Sequence, residues 1–271
     1  MRRFIFSLFF ISFSFSQDFQ VRIVGRMYTE IPVLGPFKVT FDQTVAPGFF
    51  RSEEKTEADR FYARWLLNSG TGEIMIEGTD KILKYDKDEE EYWLQSPEDY
   101  FKVPDTISEN SHSFSFSFSS DEDDETLPKI PRTGGKEIEV LRGFRTKKWI
   151  TTISISQKKM VFEEWFVDKL PLLDLSDSME SAIKTKFNPE GQKIEIGQFE
   201  FASNIFIEEM DSLTTLEPIP GHSVKTNLMV YEENNDDPKM TIGFEILELY
   251  AVPVDTSFFT IPEEYERIEK D

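Results

Sequence analysis

The chain has 271 residues, of which 51 are acidic and 30 basic, giving a formal net charge of −21 at pH 7. Nucleic-acid phosphates and anionic membrane surfaces attract basic proteins, so this charge argues against both as partners. The lack of cysteine excludes disulfides and thiol chemistry, while 39% hydrophobic residues, including 26 phenylalanines across the whole chain, suffice for a substantial core.

The N-terminus has the layout of a secretory signal peptide. Arg2 and Arg3 precede an apolar run from Phe4 to about Phe15, and a small residue follows at Ser16. The run is shorter than the roughly 20 residues that span a bilayer. We therefore expect residues 1–16 to be cleaved, no transmembrane segment to remain, and the mature protein to be periplasmic or secreted from the bacterial cell envelope.

Residues 17–271 are predicted to form a single β-rich domain, interrupted by a low-complexity insertion at residues 103–135. The insertion contains SHSFSFSFSSDEDDET, in which serine and phenylalanine alternate before a run of acids. Such a composition buries too little apolar surface to offset the entropy of ordering, which favours a mobile acidic loop. The alternative is an edge strand whose core-facing side chains are Phe114, Phe116 and Phe118.

Alternation of apolar and polar residues predicts several antiparallel strands. It recurs at residues 149–155 and 224–230 and is clearest at residues 240–246. After Ile246 the alternation changes phase, so this strand either continues through a β-bulge or ends there. Turn signals, which predict hairpin connections, lie at 68–72, 85–91, 156–159 and 233–238.

Helical spacing appears in two segments. The first begins at Ser176 or Asp177, whose side chains suit an N-cap, and ends before Asn188. Its apolar stripe consists of Met179, Ile183 and Phe187. The second covers residues 203–213. Few helices among many strands predict an α+β fold, mostly β, with the helices on one side of an antiparallel sheet.

An ordered set of motifs runs through the second half of the chain. The matching residues are Leu141, Gly143, Lys147, Lys148, Trp149, Glu164, Trp165, Val167 and Asp168, then the PIPG turn at 218–221, then Asp255, Phe258, Pro262 and Tyr265. In this order they resemble the motifs of LolA-like periplasmic proteins. They are more similar still to an uncharacterised bacterial family of exported domains with that fold, over roughly residues 21–268.

The resemblance implies a strongly curved, incomplete antiparallel β-barrel that wraps around a few helices and leaves an apolar concavity. In lipoprotein carriers of that fold, the concavity holds acyl chains. The implied partner is therefore a lipid or a lipidated protein, and no cofactor or metal is expected. From alternation, the residues that we expect to line the wall are Trp149, Ile153, Trp165, Val167, Phe244 and Ile246.

Catalytic motifs are lacking. His112 and His222 are the only histidines, too few for a histidine-rich metal site, and no nucleophile elbow accompanies them. Glu163 and Glu164 are neighbours, but adjacent strand residues point to opposite faces. We therefore predict a non-enzymatic, exported, lipid-binding protein of undetermined oligomeric state. Two alternatives remain: an envelope interaction or scaffold protein with a self-filled core, and a carboxylate-dependent hydrolase.

Overall fold

The computed structural model describes residues 18–31, 35–61, 64, 68–102, 130–155, 158–188, 216–217, 219–232 and 235–270. The strands are β1 (Phe19–Ile31), β2 (Gly35–Ala46), β3 (Phe49–Ala58), β4 (Ser69–Ile76), β5 (Ile82–Asp86), β6 (Glu91–Gln95), β7 (Arg132–Leu141), β8 (Phe144–Ile155), β9 (Lys158–Val167), β10 (His222–Glu232), β11 (Met240–Pro253) and β12 (Glu266–Arg267). The helices are α1 (Pro97–Phe101), α2 (Pro171–Phe187) and the 3-10 turn η1 (Thr256–Phe259).

The described strands form one open sheet in the order β12-β6-β5-β4-β3-β2-β1-β11-β10-β9-β8-β7. The prediction of a mostly β chain with few helices is thus confirmed, while barrel-like curvature stays a prediction. The pairing is not antiparallel throughout, because β12 runs parallel to β6 at one edge. β12 lies far along the chain from β6, at the end of the C-terminal segment, so no hairpin fixes their relative direction.

β11 continues past Ile246 through a bulge, which decides between the two possibilities that the sequence left open. Consecutive residues of β1 pair with Ile246 and Glu248, so Leu247 is an extra residue without a partner on β1. Because of this extra residue, the apolar side chains after the bulge return to the face of the sheet that Ile246 occupies. Leu249 therefore packs against the same buried cluster that contains Ile246.

α2 begins at Pro171 and not at the predicted caps Ser176 and Asp177. Proline suits the first turn of a helix, where its missing N–H has no intrahelical role. Ser176 is buried inside the helix. The predicted end is confirmed, because Phe187 is the last helical residue and Asn188 N–H donates to a carbonyl of the last turn at 3.0 Å.

Several predictions fall outside the described residues. The signal peptide at 1–16 and the second helix at 203–213 lie wholly outside them, and so does most of the insertion at 103–135. The described part of that insertion begins at Ile130, and β7 begins at Arg132. The last residues of the predicted insertion therefore belong to an edge strand of the sheet.

The two faces of the sheet are covered by different elements. We call the face against α2 the helix face and the opposite one the outer face. On the helix face, α2 packs into a cluster of Val45, Phe50, Met75, Ile82, Ile183 and Phe187. On the outer face, the segment from Val254 to Tyr265 packs against a cluster of Ala46, Ile74, Tyr85 and Phe259. Each face of β2–β5 is therefore covered in part by the protein itself.

Two glycines in strands make room for tyrosine rings. A Cβ on Gly72 would lie 2.2 Å from the ring of Tyr85, and a Cβ on Gly243 would lie 2.0 Å from the ring of Tyr28. The prediction of a hairpin turn at 68–72 is wrong there, because Gly72 lies within β4 and pairs with β3 and β5. The missing side chain is used for close packing and not for a turn.

Candidate functional site

The six predicted wall residues lie on β8, β9 and β11, and the strand register divides them between the two faces. Trp149 pairs with Glu164 on β9, which continues through β10 to Phe244 on β11. Directly paired residues share a face, so these residues lie on the helix face. Ile153 and Ile246 alternate with them and lie on the same face.

Trp165 and Val167 follow Glu164 by one and three residues, so alternation places them towards the outer face. The Trp165 ring lies between two amines, with Lys148 Nζ at 4.7 Å and Lys225 Nζ at 5.0 Å from its centroid. Its Nε1–H donates to Glu139 at 3.0 Å. Trp165 is thus held by cation–π contacts and a hydrogen bond within the protein.

The contacts among buried side chains group the six predicted wall residues differently from the strand register. Trp165, Phe244 and Ile246 belong to one buried cluster with Val224, the extra residue of a bulge in β10, and Val167 packs against this cluster. Ile153 belongs to a separate cluster, and Trp149 is half-buried. The structure therefore brings four of the six predicted residues together and leaves the two β8 residues apart.

α2 occupies part of the helix face with its own apolar side chains. Leu173 belongs to the cluster of Phe244 and Ile246, while Ile183 and Phe187 belong to the cluster of Phe50. At the positions of Phe244 and Ile246, the predicted wall is therefore in contact with the protein's own helix.

Beyond α2, the helix face carries a further apolar cluster, which we call the distal patch. Its buried members are Ile153, Met160, Phe162 and Leu228, and Ile130 and Val230 pack against them. The register places these β8, β9 and β10 side chains on one face. No residue of α2 belongs to this cluster. Period-two alternation in the sequence had indicated Ile153 and Leu228, whereas it had not singled out Met160 or Phe162.

Glu164 lies on the helix face beside the distal patch. It pairs with Trp149 on one side and Thr226 on the other, and the residue is only 4% exposed. Its Oε2 is buried and has no hydrogen-bond partner among the residues that the structure describes. Burial raises the pKa of Glu164, and the charge of Arg132 opposes that rise. Arg132 itself donates from Nε to Thr151 Oγ1 at 3.0 Å.

Glu163, the neighbour of Glu164, has a different environment. Its carboxylate accepts a hydrogen bond from Lys148 Nζ at 2.7 Å and lies on the outer face. The sequence-based expectation that these adjacent acids face opposite ways is confirmed, because the strand alternates between them.

A buried polar group lies between α2 and the sheet. Glu180 is fully buried, accepts from Gln43 Nε2 at 3.0 Å, and forms an ion pair with Lys184 at 2.6 Å. The Lys184 ammonium also lies 5.1 Å from the centroid of Phe50. α2 is therefore fixed to the helix face by charge-assisted contacts as well as by apolar packing.

A second acid on the helix face is also paired. Glu73 accepts from Lys84 at 2.5 Å and from the Tyr100 hydroxyl at 2.9 Å. Burial, followed by the charge of Glu73, raises the pKa of Tyr100 far above its ordinary value. The hydroxyl therefore stays protonated and acts as a donor to Glu73 at neutral pH.

On the outer face, the Glu53 carboxylate accepts hydrogen bonds from three side chains. It accepts from Tyr85 at 2.7 Å, from Lys87 at 2.8 Å and from Arg51. Burial alone would raise the pKa of Glu53, but the bonds from Lys87 and Tyr85 and the charge of Arg51 outweigh burial and lower the pKa to about 2. Arg51 also donates to the Phe258 carbonyl at 2.5 Å, which ties the C-terminal segment to this group.

The C-terminal segment that carries the motif residues Asp255 and Tyr265 has a structural role. Asp255 accepts from Ser257 N–H at 3.0 Å and so caps η1. Phe259 is 1% exposed, and the Tyr265 ring meets Tyr85 edge-on with 6.2 Å between centroids. This segment therefore seals the outer face.

Within the described part of the chain, no group of three or more histidine, aspartate or glutamate side chains is arranged to hold a metal ion. Over the same residues, no helix is both long enough and apolar enough to cross a membrane.

No protein-family model matches the chain, and no curated protein matches it. Among solved structures, it is similar to a LolA superfamily protein from Nitrosomonas europaea, with 7% identity over 91% of this chain and 91% of that chain and a TM-score of 0.24.

Proposed function

We propose that this is an exported, non-enzymatic protein of LolA-like type that binds an apolar ligand, such as an acyl chain, a lipid or a lipidated partner, on the helix face of its sheet. The distal patch is the observation that carries this proposal. It continues the apolar face to which α2 is bound, and its buried members on β8, β9 and β10 are only 1–6% exposed although α2 contributes no residue to it. Apolar surfaces with a few polar groups are the usual lining of ligand sites. The pattern of residues 1–16 supports export.

A second candidate is an envelope interaction or scaffold protein whose core is filled by its own side chains. The packing of Leu173, Ile183 and Phe187 against the sheet favours this alternative. The two candidates differ in one respect that an experiment can measure: only the first requires a small apolar molecule to accompany the folded protein.

Native mass spectrometry of the full chain, expressed in bacteria and purified from the periplasm without detergent, tests the proposal. We expect the protein to have the mass of residues 17–271. We also expect an additional bound mass, in the range of a lipid, that organic solvent releases. A clean protein mass would support the self-filled alternative. Recovery of only the unprocessed chain, from the cytoplasm, would contradict export.

A pair of neighbouring substitutions identifies the site. Val230 packs at the distal patch, whereas Met229 lies on the opposite face of β10. Val230→Gln should lower the amount of co-purified lipid, because it places an amide in the apolar surface, and Met229→Gln should leave that amount unchanged. Equal loss in both variants would place the bound lipid elsewhere.

A further inference from the structure

The two edges of the sheet differ in how well they are protected from pairing with a further strand. At one edge, β12 has only two residues, Glu266 and Arg267, and both are charged. At the other edge, β7 has ten residues and, among the described strands, pairs only with β8. Short or charged edges resist further pairing, whereas a longer edge presents unpaired backbone groups. β7 is therefore the edge to which another strand can add.

A bulge divides β7 into two parts. Residues 135–137 lie opposite the single residue Lys148 of β8. A bulge of this kind interrupts the regular ladder and hinders further pairing at that point. Over residues 138–141 the pairing with β8 is regular again, one residue to one. These four residues, which we call the open edge, therefore have the geometry that an extended segment needs in order to pair with them.

The open edge presents apolar side chains on one face of the sheet and a carboxylate on the other. Ile138 is 55% exposed and Val140 is 72% exposed, so both are open to solvent. Ile138 pairs with Lys147, which lies two residues before Trp149, and Ile138 and Val140 therefore belong to the helix face. Glu139 lies between them, is exposed, and points to the outer face.

A second copy of the chain is a poor occupant of the open edge. An antiparallel register that places Ile138 opposite Val140 of the other copy also places Glu139 opposite its own equivalent. The register centred on Ile138 places Glu137 opposite Glu139. Like charges directly opposite each other destabilise a strand pair, and two copies with a net charge of −21 each repel one another. The charge pattern therefore favours a different segment, one that carries positive charge opposite Glu139.

We propose that the open edge of β7 binds an extended protein segment in which apolar and basic residues alternate, and that this segment adds to the sheet as a further strand. Its apolar side chains lie beside Ile138 and Val140 on the helix face, and its basic side chains lie beside Glu139 on the outer face. Main-chain hydrogen bonds to β7 provide affinity, and the alternation provides specificity. The inference concerns a surface other than the distal patch and holds for either candidate function.

The charges around the open edge are compatible with such a segment. Arg142 and Lys147 each form an ion pair within the protein. Arg145 lies on the helix face, where the proposed segment presents apolar side chains, and Lys136 lies in the bulge, outside the open edge. The net charge of −21 favours the approach of a basic segment.

Fluorescence anisotropy with labelled, end-capped peptides tests the inference on residues 17–271. The probes are GKVKVKG, in which lysine and valine alternate, GKKVVKG, which has the same composition without alternation, and GEVEVEG, in which glutamate replaces lysine. The equal charge of the first two separates strand addition from the general attraction of a cation to an acidic protein. We expect GKVKVKG to bind at least about fivefold more tightly than GKKVVKG, and GEVEVEG to bind most weakly.

Two substitutions with the same change in net charge locate the binding surface. Val140→Lys should weaken GKVKVKG binding about fivefold or more, because it places a cation within the apolar face of the open edge. Leu175→Lys is the matched control: Leu175 is 44% exposed on α2, so the change should alter binding less than about twofold. Thermal unfolding checks that both variants are folded.

A third substitution tests the charge pattern. Glu139→Lys should weaken the binding of GKVKVKG and strengthen that of GEVEVEG, because it reverses the charge that faces the alternate side chains of the peptide. If Glu139→Lys does not fold, the ranking of the three peptides and the comparison of Val140→Lys with Leu175→Lys still decide the question.

Several outcomes would overturn the inference. They are equal affinity for GKVKVKG and GKKVVKG, equal effects of Val140→Lys and Leu175→Lys, and absence of binding by every peptide. A concentration-dependent dimer that Val140→Lys abolishes would also overturn it, because a second copy would then occupy the open edge. None of these results depends on whether a lipid co-purifies, so failure of this inference is distinguishable from failure of the proposed function.

Discussion

Glu53 and Glu164 are two glutamates removed from solvent on the same sheet, and their surroundings are opposite. Glu53 accepts hydrogen bonds from three side chains and its pKa falls to about 2. Glu164 is more deeply buried, has an unpartnered oxygen among the described residues, and its pKa is raised by burial. Burial alone therefore does not set the behaviour of an acid in this protein; the donors that its neighbours provide decide it.

The two surroundings also differ in what covers them. The outer face near Glu53 is sealed by the C-terminal segment, which Arg51 holds through the Phe258 carbonyl. The distal patch beside Glu164 contains strand residues and Ile130 but nothing from α2. Both regions are buried, but the first is covered by a segment that the structure describes and that Arg51 holds by a hydrogen bond, whereas α2 does not cover the second. Four substitutions test this difference.

Phe259→Ala should have the largest effect, because it removes a fully buried ring from the cluster that seals the outer face. We expect the free energy of unfolding to fall by about 3–5 kcal/mol, measured by urea denaturation. Phe258→Ala is the matched control. Phe258 is 38% exposed and contributes its backbone carbonyl to Arg51, so the change should stay within about 0.5 kcal/mol. Equal effects would contradict a sealed outer face.

Lys184→Met tests the attachment of α2 to the helix face. The substitution leaves the fully buried Glu180 without its cationic partner, so we expect a loss of about 3–5 kcal/mol in the free energy of unfolding. Adding Glu180→Gln should recover most of that loss, since the amide keeps a hydrogen bond to Gln43 and carries no charge. A double variant as unstable as Lys184→Met alone would show that the charge on Glu180 is not the cause.

Glu53→Gln tests the hydrogen-bonded acid. The folded-state pKa of about 2 lies below the ordinary value of 4.5, so the Glu53 contribution is present above pH 4.5 and is lost as pH falls towards 2. We expect the variant to lose about 2 kcal/mol at pH 7 and much less at pH 2.5, measured by urea denaturation across this range. A loss that does not change with pH would mean that the effect is one of packing.

Glu164→Leu should change the free energy of unfolding least of the four, and it should raise that free energy where the others lower it. A raised pKa means that the folded state holds the proton more tightly, so stability falls as pH rises above the unfolded value of 4.5. Replacing the acid should therefore stabilise the protein without ligand by about 1 kcal/mol at pH 7 and by less at pH 4. Thermal unfolding at both pH values measures the difference. Destabilisation at pH 7 would show that Glu164 has a stabilising partner in the folded protein.

Much of the strand arrangement was readable from the sequence, for a local reason. The 85–91 turn joins β5 to β6, and the alternation at 149–155, 224–230 and 240–246 falls within β8, β10 and β11. Each pattern is contained in a few consecutive residues, so it reports the strand directly. The end of α2 at Asn188 was equally local, whereas its beginning depended on Pro171, which the cap signals at Ser176 obscured.

The candidate site was less predictable, because its parts meet only across strands. Alternation within β9 could not show that Trp165 lies between Lys148 and Lys225, which come from two other strands. Nor could it show that Glu164 lacks the partner that Glu163 has in Lys148. The distal patch combines Met160 and Phe162 with residues of β8 and β10, and no one segment carries that pattern.

The sequence by itself determined the composition and the charge, which are sums over residues. It also determined the alternation of the main strands and the motif order that resembles LolA-like proteins, because both are read along the chain without knowing which strands pair. Tertiary structure alone decided the strand order, the bulge at Leu247, the parallel pairing of β12 and the sealing of the outer face by Phe259. It also decided that Glu53 is surrounded by donors and that the more deeply buried Glu164 is not. These features depend on contacts between parts of the chain that are far apart in sequence: among the described strands, two of the eleven pairings, β1 with β11 and β6 with β12, join strands that are not consecutive in the chain.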